Sequence, residues 1–137
     1  MTKVILGNHT AVFAPCAEQA RIRRFYRDVL GATARIETPE VDRWQLGEVH
    51  FCFVWQDAVL DPDHFLQAIY LELATDDVET LRRKIVAFGV KVIDIPDPHL
   101  YFQAPGGQVF KLVAIGEDLS AYEDSSSAKP GATAAIS

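Results

Sequence analysis

The chain has 137 residues, 49% of them apolar, which suits a single domain with a real core. No apolar run is long enough to span a bilayer, and a net charge of −6 argues against a nucleic-acid surface. Residues 1–8 lack the pattern of a secretory signal, so a cytoplasmic setting is expected, with Cys16 and Cys52 as free thiols.

The first element expected is a strand over residues 3–13, punctuated by Pro15. From residue 17 to 30, Ile22, Phe25, Tyr26, Val29 and Leu30 fall at the i, i+3, i+4, i+7 and i+8 spacing of an amphipathic helix, and Gly31 stops it. Arg21, Arg23, Arg24 and Arg27 lie mostly off that stripe and read as a solvated face. Strands are expected at about 32–37, 41–46 and 48–55, separated by Thr38-Pro39-Glu40 and Gly47. Residues 56–66 are turn-rich and read as a linker containing His64.

The pattern then repeats. A strand over 69–75 leads to a helix with Asp76 as its N-cap, Glu79 three residues later, and a stripe of Val78, Leu81, Ile85 and Phe88. Gly89 ends it, and strands follow at about 90–95, 99–103 and 108–114. From Glu117 the chain is rich in Ser, Ala and acidic residues and reads as a disordered tail. The expected organisation is one domain, 1–116, with module one at about 3–56, a linker at about 57–66, module two at about 67–115 and the tail at 117–137.

Strand parity sorts side chains by face, because alternate residues point oppositely. Phe51, Phe53 and Trp55 suit the helix side, which sends His50 and Cys52 the other way. The same argument turns His9, Tyr70, Glu72, His99, Tyr101, Gln103 and Lys111 away from the helices, toward a cleft expected between two like halves.

Several segments together resemble the vicinal oxygen chelate superfamily of glyoxalases, bleomycin-resistance and fosfomycin-resistance proteins and extradiol dioxygenases. They are His9-Thr-Ala-Val-Phe13, the Phe25-Tyr26-x-x-Val29-Leu30-Gly31 helix end, the strand and helix of 70–89, and Pro105-Gly106-Gly107-Gln108-Val109-Phe110-Lys111-Leu112. The resemblance implies an α+β fold: two βαβββ modules forming an open, cupped, eight-stranded mixed sheet with helices on its outer face. It implies a homodimer that binds a small molecule; charge and hydropathy leave no expectation of a nucleic acid or membrane as partner. It leaves open whether a reaction is catalysed; if so, a glyoxalase-like lyase, an isomerase or a dioxygenase is implied.

Metal enzymes of that superfamily take one ligand from each of four strands. At those positions stand His9, then Cys52 or His50, then Tyr70 and Lys111. A lysine ammonium has no lone pair to give, and it repels a divalent ion. The expectation is therefore a metal-free pocket with no cofactor, in which His9, Cys52, Tyr70, Glu72, Tyr101 and Lys111 contact the ligand. The alternative is a variant site in which His9 with His50 or Cys52 holds Zn, Ni, Fe or Mn.

Overall fold

The computed structural model describes residues 3, 8–58 and 70–118. The linker beyond residue 58, His64 within it, and the tail beyond residue 118 lie outside the described residues. The chain separates into two compact units, Met1–Val59 and Leu60–Ser137.

Unit one holds β1 (His9–Ala14), β2 (Thr33–Glu37), β3 (Val41–Leu46) and β4 (Val49–Trp55). The strand order is β1-β4-β3-β2, with β1 parallel to β4 and the other pairs antiparallel. A parallel pair needs a long connection between its strands, here supplied by a helical segment and the hairpins that follow it. That segment is not uniform. A 3₁₀ turn at Cys16–Glu18 leads into α1 (Gln19–Arg24), and a π-helical turn at Phe25–Val29 follows. The wide turn is closed by the Leu30 amide donating to the Phe25 carbonyl at 3.2 Å. Phe25 and Tyr26, the i+3 and i+4 residues of the apolar stripe, both reach the core. Gly31 then takes φ 70°, a left-handed conformation that favours glycine.

The core of unit one lies between helix and sheet. The Tyr26 ring sits 5.4 Å from Phe51 and 4.9 Å from Phe53, and Phe53 stacks on Trp55. Each such ring contributes about 2 kcal/mol by leaving water. Within this apolar layer is one carboxylate, that of Asp42 on β3. It accepts hydrogen bonds from the Arg23 guanidinium at 2.9 and 2.8 Å, and from the Trp44 and Trp55 indoles at 3.1 and 3.2 Å. Burial alone would raise the Asp42 carboxyl; the donors around it win and hold it below the usual carboxylate value. Arg23, expected on a solvated face, instead ties α1 to β3, and its Nη2 also donates to the Thr38 carbonyl at 3.0 Å.

Unit two repeats the topology with β5 (Tyr70–Thr75), α2 (Val78–Phe88), β6 (Lys91–Ile93), β7 (Leu100–Gln103) and β8 (Val109–Ala114) in the order β5-β8-β7-β6. The cap of α2 is Asp77, not Asp76: its Oδ1 accepts from the Thr80 amide at 3.1 Å. Both aspartates satisfy the composition rule, and the Asp77 side chain is the one that accepts from the first turn. Ile85 of α2 is buried, and Phe102, Phe110 and Leu112 on β7 and β8 form an apolar layer. β6 is shorter than expected, and β7 begins after His99, so His99 belongs to the preceding loop. Among the described residues the architecture is α+β, eight strands in two four-stranded mixed sheets, as the resemblance implied.

Candidate functional site

The face of the unit-one sheet turned away from Phe51, Phe53 and Trp55 is set by register. His9 on β1 pairs with His50 on β4, which pairs with Gln45 on β3. Two residues along, Ala11 pairs with Cys52 and Cys52 with Arg43; two further, Phe13 pairs with Val54 and Val54 with Val41. The result is three rows across three strands: imidazoles and an amide, then a thiol and a guanidinium, then hydrocarbon. None of the nine is classed as buried, and Phe13 keeps 51% of its surface exposed.

The first two rows are polar, and Arg43 is their fixed charge. The His9 and His50 rings stack with centroids 4.5 Å apart, and His9 Nδ1 pairs with the Asn8 side-chain oxygen at 3.0 Å. Arg35 reaches the same face from β2 and donates twice to Gln45 Oε1, at 2.9 and 2.7 Å. Partial desolvation, then the neighbouring charges of His9, Arg43 and Arg35, lower the His50 imidazole from its ordinary value. His50 Nδ1 and Arg43 Nε are both closed off from solvent without a hydrogen-bond partner among the described residues. Arg43, Gln45 and Arg35 were not singled out from sequence. The first two were reachable by parity, since Trp44 between them belongs to the core.

In unit two the corresponding face carries Tyr70 and Glu72 on β5, Lys111 on β8, and Tyr101 and Gln103 on β7. Glu72 is opposite Lys111 in register and Lys111 opposite Tyr101. The Tyr70 and Tyr101 rings meet edge to face at 5.5 Å, and Lys111 Nζ lies 5.9 Å from the centre of the Tyr101 ring. Tyr101, Gln103 and Lys111 are buried, whereas Glu72 is exposed. His9, His50 and Cys52 are thus grouped on one unit's sheet, and Tyr70, Glu72, Tyr101 and Lys111 on the other's.

His99 has a different setting. Its Nδ1 pairs with Asp97 Oδ1 at 2.6 Å, its Nε2 pairs with Glu117, and the Tyr101 hydroxyl donates to Asp97 Oδ2 at 3.4 Å. Burial alone would lower this imidazole, but the Glu117 and Asp97 carboxylates together raise it above its ordinary value. A carboxylate at each ring nitrogen favours the form that donates from both, the imidazolium. Glu117, assigned by composition to the tail, also accepts from the Ala114 amide at 3.0 Å. An open depression of about 370 Å³ beside this cluster is bordered by Arg82 of α2 and by Asp94.

Among the described residues, no three His, Cys, Asp or Glu side chains are grouped to hold a metal ion. Nor is any described helix long and apolar enough to cross a membrane.

The family model of the Glyoxalase/Bleomycin resistance protein/Dioxygenase superfamily matches residues 8–106. A glyoxalase family protein from Bacillus anthracis is 20% identical with a TM-score of 0.62, the match covering 82% of this chain and 97% of that one. The fosfomycin resistance protein FosX from Listeria monocytogenes, solved with Mn(II) and a dihydroxypropylphosphonic acid, is 12% identical with a TM-score of 0.64, covering 80% and 90%. The bleomycin-binding protein of Streptomyces verticillus, solved with copper(II)-bleomycin, is 15% identical with a TM-score of 0.55, covering 85% and 100%. A sequence search of curated proteins gives no match.

Proposed function

We propose, from the premise that the chain belongs to the Glyoxalase/Bleomycin resistance protein/Dioxygenase superfamily, that it binds a small amphipathic molecule without a metal ion. The observation that carries this reading is the three-row face of unit one: polar groups at one end of β1 and β4, accessible hydrocarbon at the other. Small-molecule sites combine apolar walls with a few placed polar groups, and this face offers both. The relatives solved with bleomycin and with a phosphonic acid make small-molecule binding a use to which this fold is put.

The donor set supports the metal-free part. Imidazole lone pairs lie in the ring plane, and the His9 and His50 rings are stacked only 22° from parallel. Their lone pairs therefore run alongside each other rather than converging on one ion at about 2 Å. The His9 Nδ1 contact with Asn8 also occupies one of its two ring nitrogens. At the remaining two superfamily positions stand a phenol and an ammonium, Tyr70 and Lys111, and the ammonium has no donor pair. A homodimer is part of the reading, resting on the family alone.

Two measurements test it. Amide shifts followed while small amphipathic compounds are titrated in should move along β1, β3 and β4; binding that perturbs only other segments overturns the reading. Elemental analysis of protein purified without an affinity tag should find no stoichiometric metal. Stoichiometric Zn, Ni, Fe or Mn that is lost in His9→Ala would refute the metal-free part.

A further inference from the structure

We propose, resting on the reading above, that the ligand carries an oxyanion held by Arg43 and His50, with its apolar body lying along β1 and β4 over Phe13 and Val54. The charge pattern comes first. His9, His50, Arg35 and Arg43 converge on one face, and among its described residues no carboxylate offsets them. The Arg35 and Arg43 guanidiniums are like charges without a counter-ion among the described residues of that face, and an incoming anion relieves the cost of gathering them.

The second observation is independent of charge. Arg43 Nε and His50 Nδ1 are shielded from solvent and have no acceptor among the described residues. A shielded donor left unmade costs about 1–3 kcal/mol, so a side-chain rotation that brings Arg43 Nε, or a protonated His50 Nδ1, to a ligand oxygen relieves that cost. Arg43 Nε is one side of the guanidinium fork, the geometry that matches a planar oxyanion. Arg35, by contrast, is already engaged with Gln45.

Register then sets the shape. The Arg43–Cys52–Ala11 row and the Val41–Val54–Phe13 row are two residues apart, which is ~7 Å along a strand. That separation suits an organic acid whose apolar group begins a few bonds from its carboxylate. A cationic ligand would meet the polar rows with repulsion, and a neutral one would leave both donors to weaker acceptors.

The probes are 4-phenylbutyrate and its neutral partner 4-phenylbutanamide, measured by calorimetry with the full chain. The acid should bind at least about tenfold more tightly than the amide. Arg43→Gln should erase that preference, and His50→Gln should reduce it, with melting temperatures no lower than the wild type's showing that both variants fold. The His50 ring signals should titrate at higher pH with the acid bound than with the amide. Equal affinity for the two probes, insensitive to both substitutions, overturns the oxyanion while leaving small-molecule binding standing. Binding of neither probe, with a wild-type dimer that Phe13→Ser dissociates, assigns the face to a second copy of the chain and overturns both readings.

Discussion

The two units share one topology but put their charge on opposite sides of the sheet. In unit one the buried charge lies on the helix side, where Asp42 gathers Arg23 and two indoles. In unit two the helix-side layer of Phe102, Phe110 and Leu112 is hydrocarbon, and the buried charge is Lys111 on the other face. The scaffold therefore fixes strand order and register, not chemistry. Parity lets a single sequence position switch a face from polar to apolar, so two copies of one topology can carry unrelated surfaces.

If the helix side of unit one depends on its charge, the largest effect comes from removing it. Asp42→Ala leaves Arg23 and both indoles without their acceptor and should cost about 3–5 kcal/mol in chemical denaturation. The carboxyl is depressed in the folded state, so its contribution is full above the unfolded carboxylate value and falls away as pH drops through the folded one. Loss of less than about 1 kcal/mol would show that helix and sheet in unit one are held by hydrocarbon alone, as in unit two.

The next effect lies in unit two, where His99 is held by Asp97 and Glu117. His99→Gln should lower stability by about 1–2 kcal/mol at pH 6. The folded imidazole is raised, so its stabilising effect is complete below about pH 6.5 and disappears as pH climbs past the raised value. Melting temperatures of the two proteins should converge on the alkaline side; a constant gap across pH would mean that packing, not protonation, is what His99 supplies.

A smaller change, about 1 kcal/mol, is expected for Asp77→Ala, which removes the α2 cap. Asp76→Ala should be close to silent. The last effect is on titration: in Arg43→Gln the His50 midpoint should move up, because one of the charges that depress it is gone. An unmoved midpoint would place the Arg43 charge away from His50.

Much of this was legible in the sequence, for a reason peculiar to strands. Period two is rigid, so the aromatic run Phe51, Phe53 and Trp55 was enough to send His50 and Cys52 to the other face. What escaped was what depends on distant partners. Asp42 in Val-Asp-Arg-Trp reads as a surface acid until Arg23, nineteen residues earlier, closes on it. Glu117 reads as tail by composition, and only the loop at Asp97 and His99 gives it a partner. Lys111 was turned from the helix correctly, but parity says nothing about its depth, and it is buried. The cap shifted from Asp76 to Asp77 because adjacent aspartates are indistinguishable until backbone angles are known.

The parallel pairing of β1 with β4, and of β5 with β8, sets a schedule for synthesis. In each unit the first strand's partner emerges from the ribosome about forty residues later. At ~5–20 residues per second, β1 waits roughly two to eight seconds for β4. The hairpins joining β2, β3 and β4 can zip while that happens, since their contacts are local. For that interval Val12 and Phe13 have no sheet to join, and each unit closes only when its last strand is made.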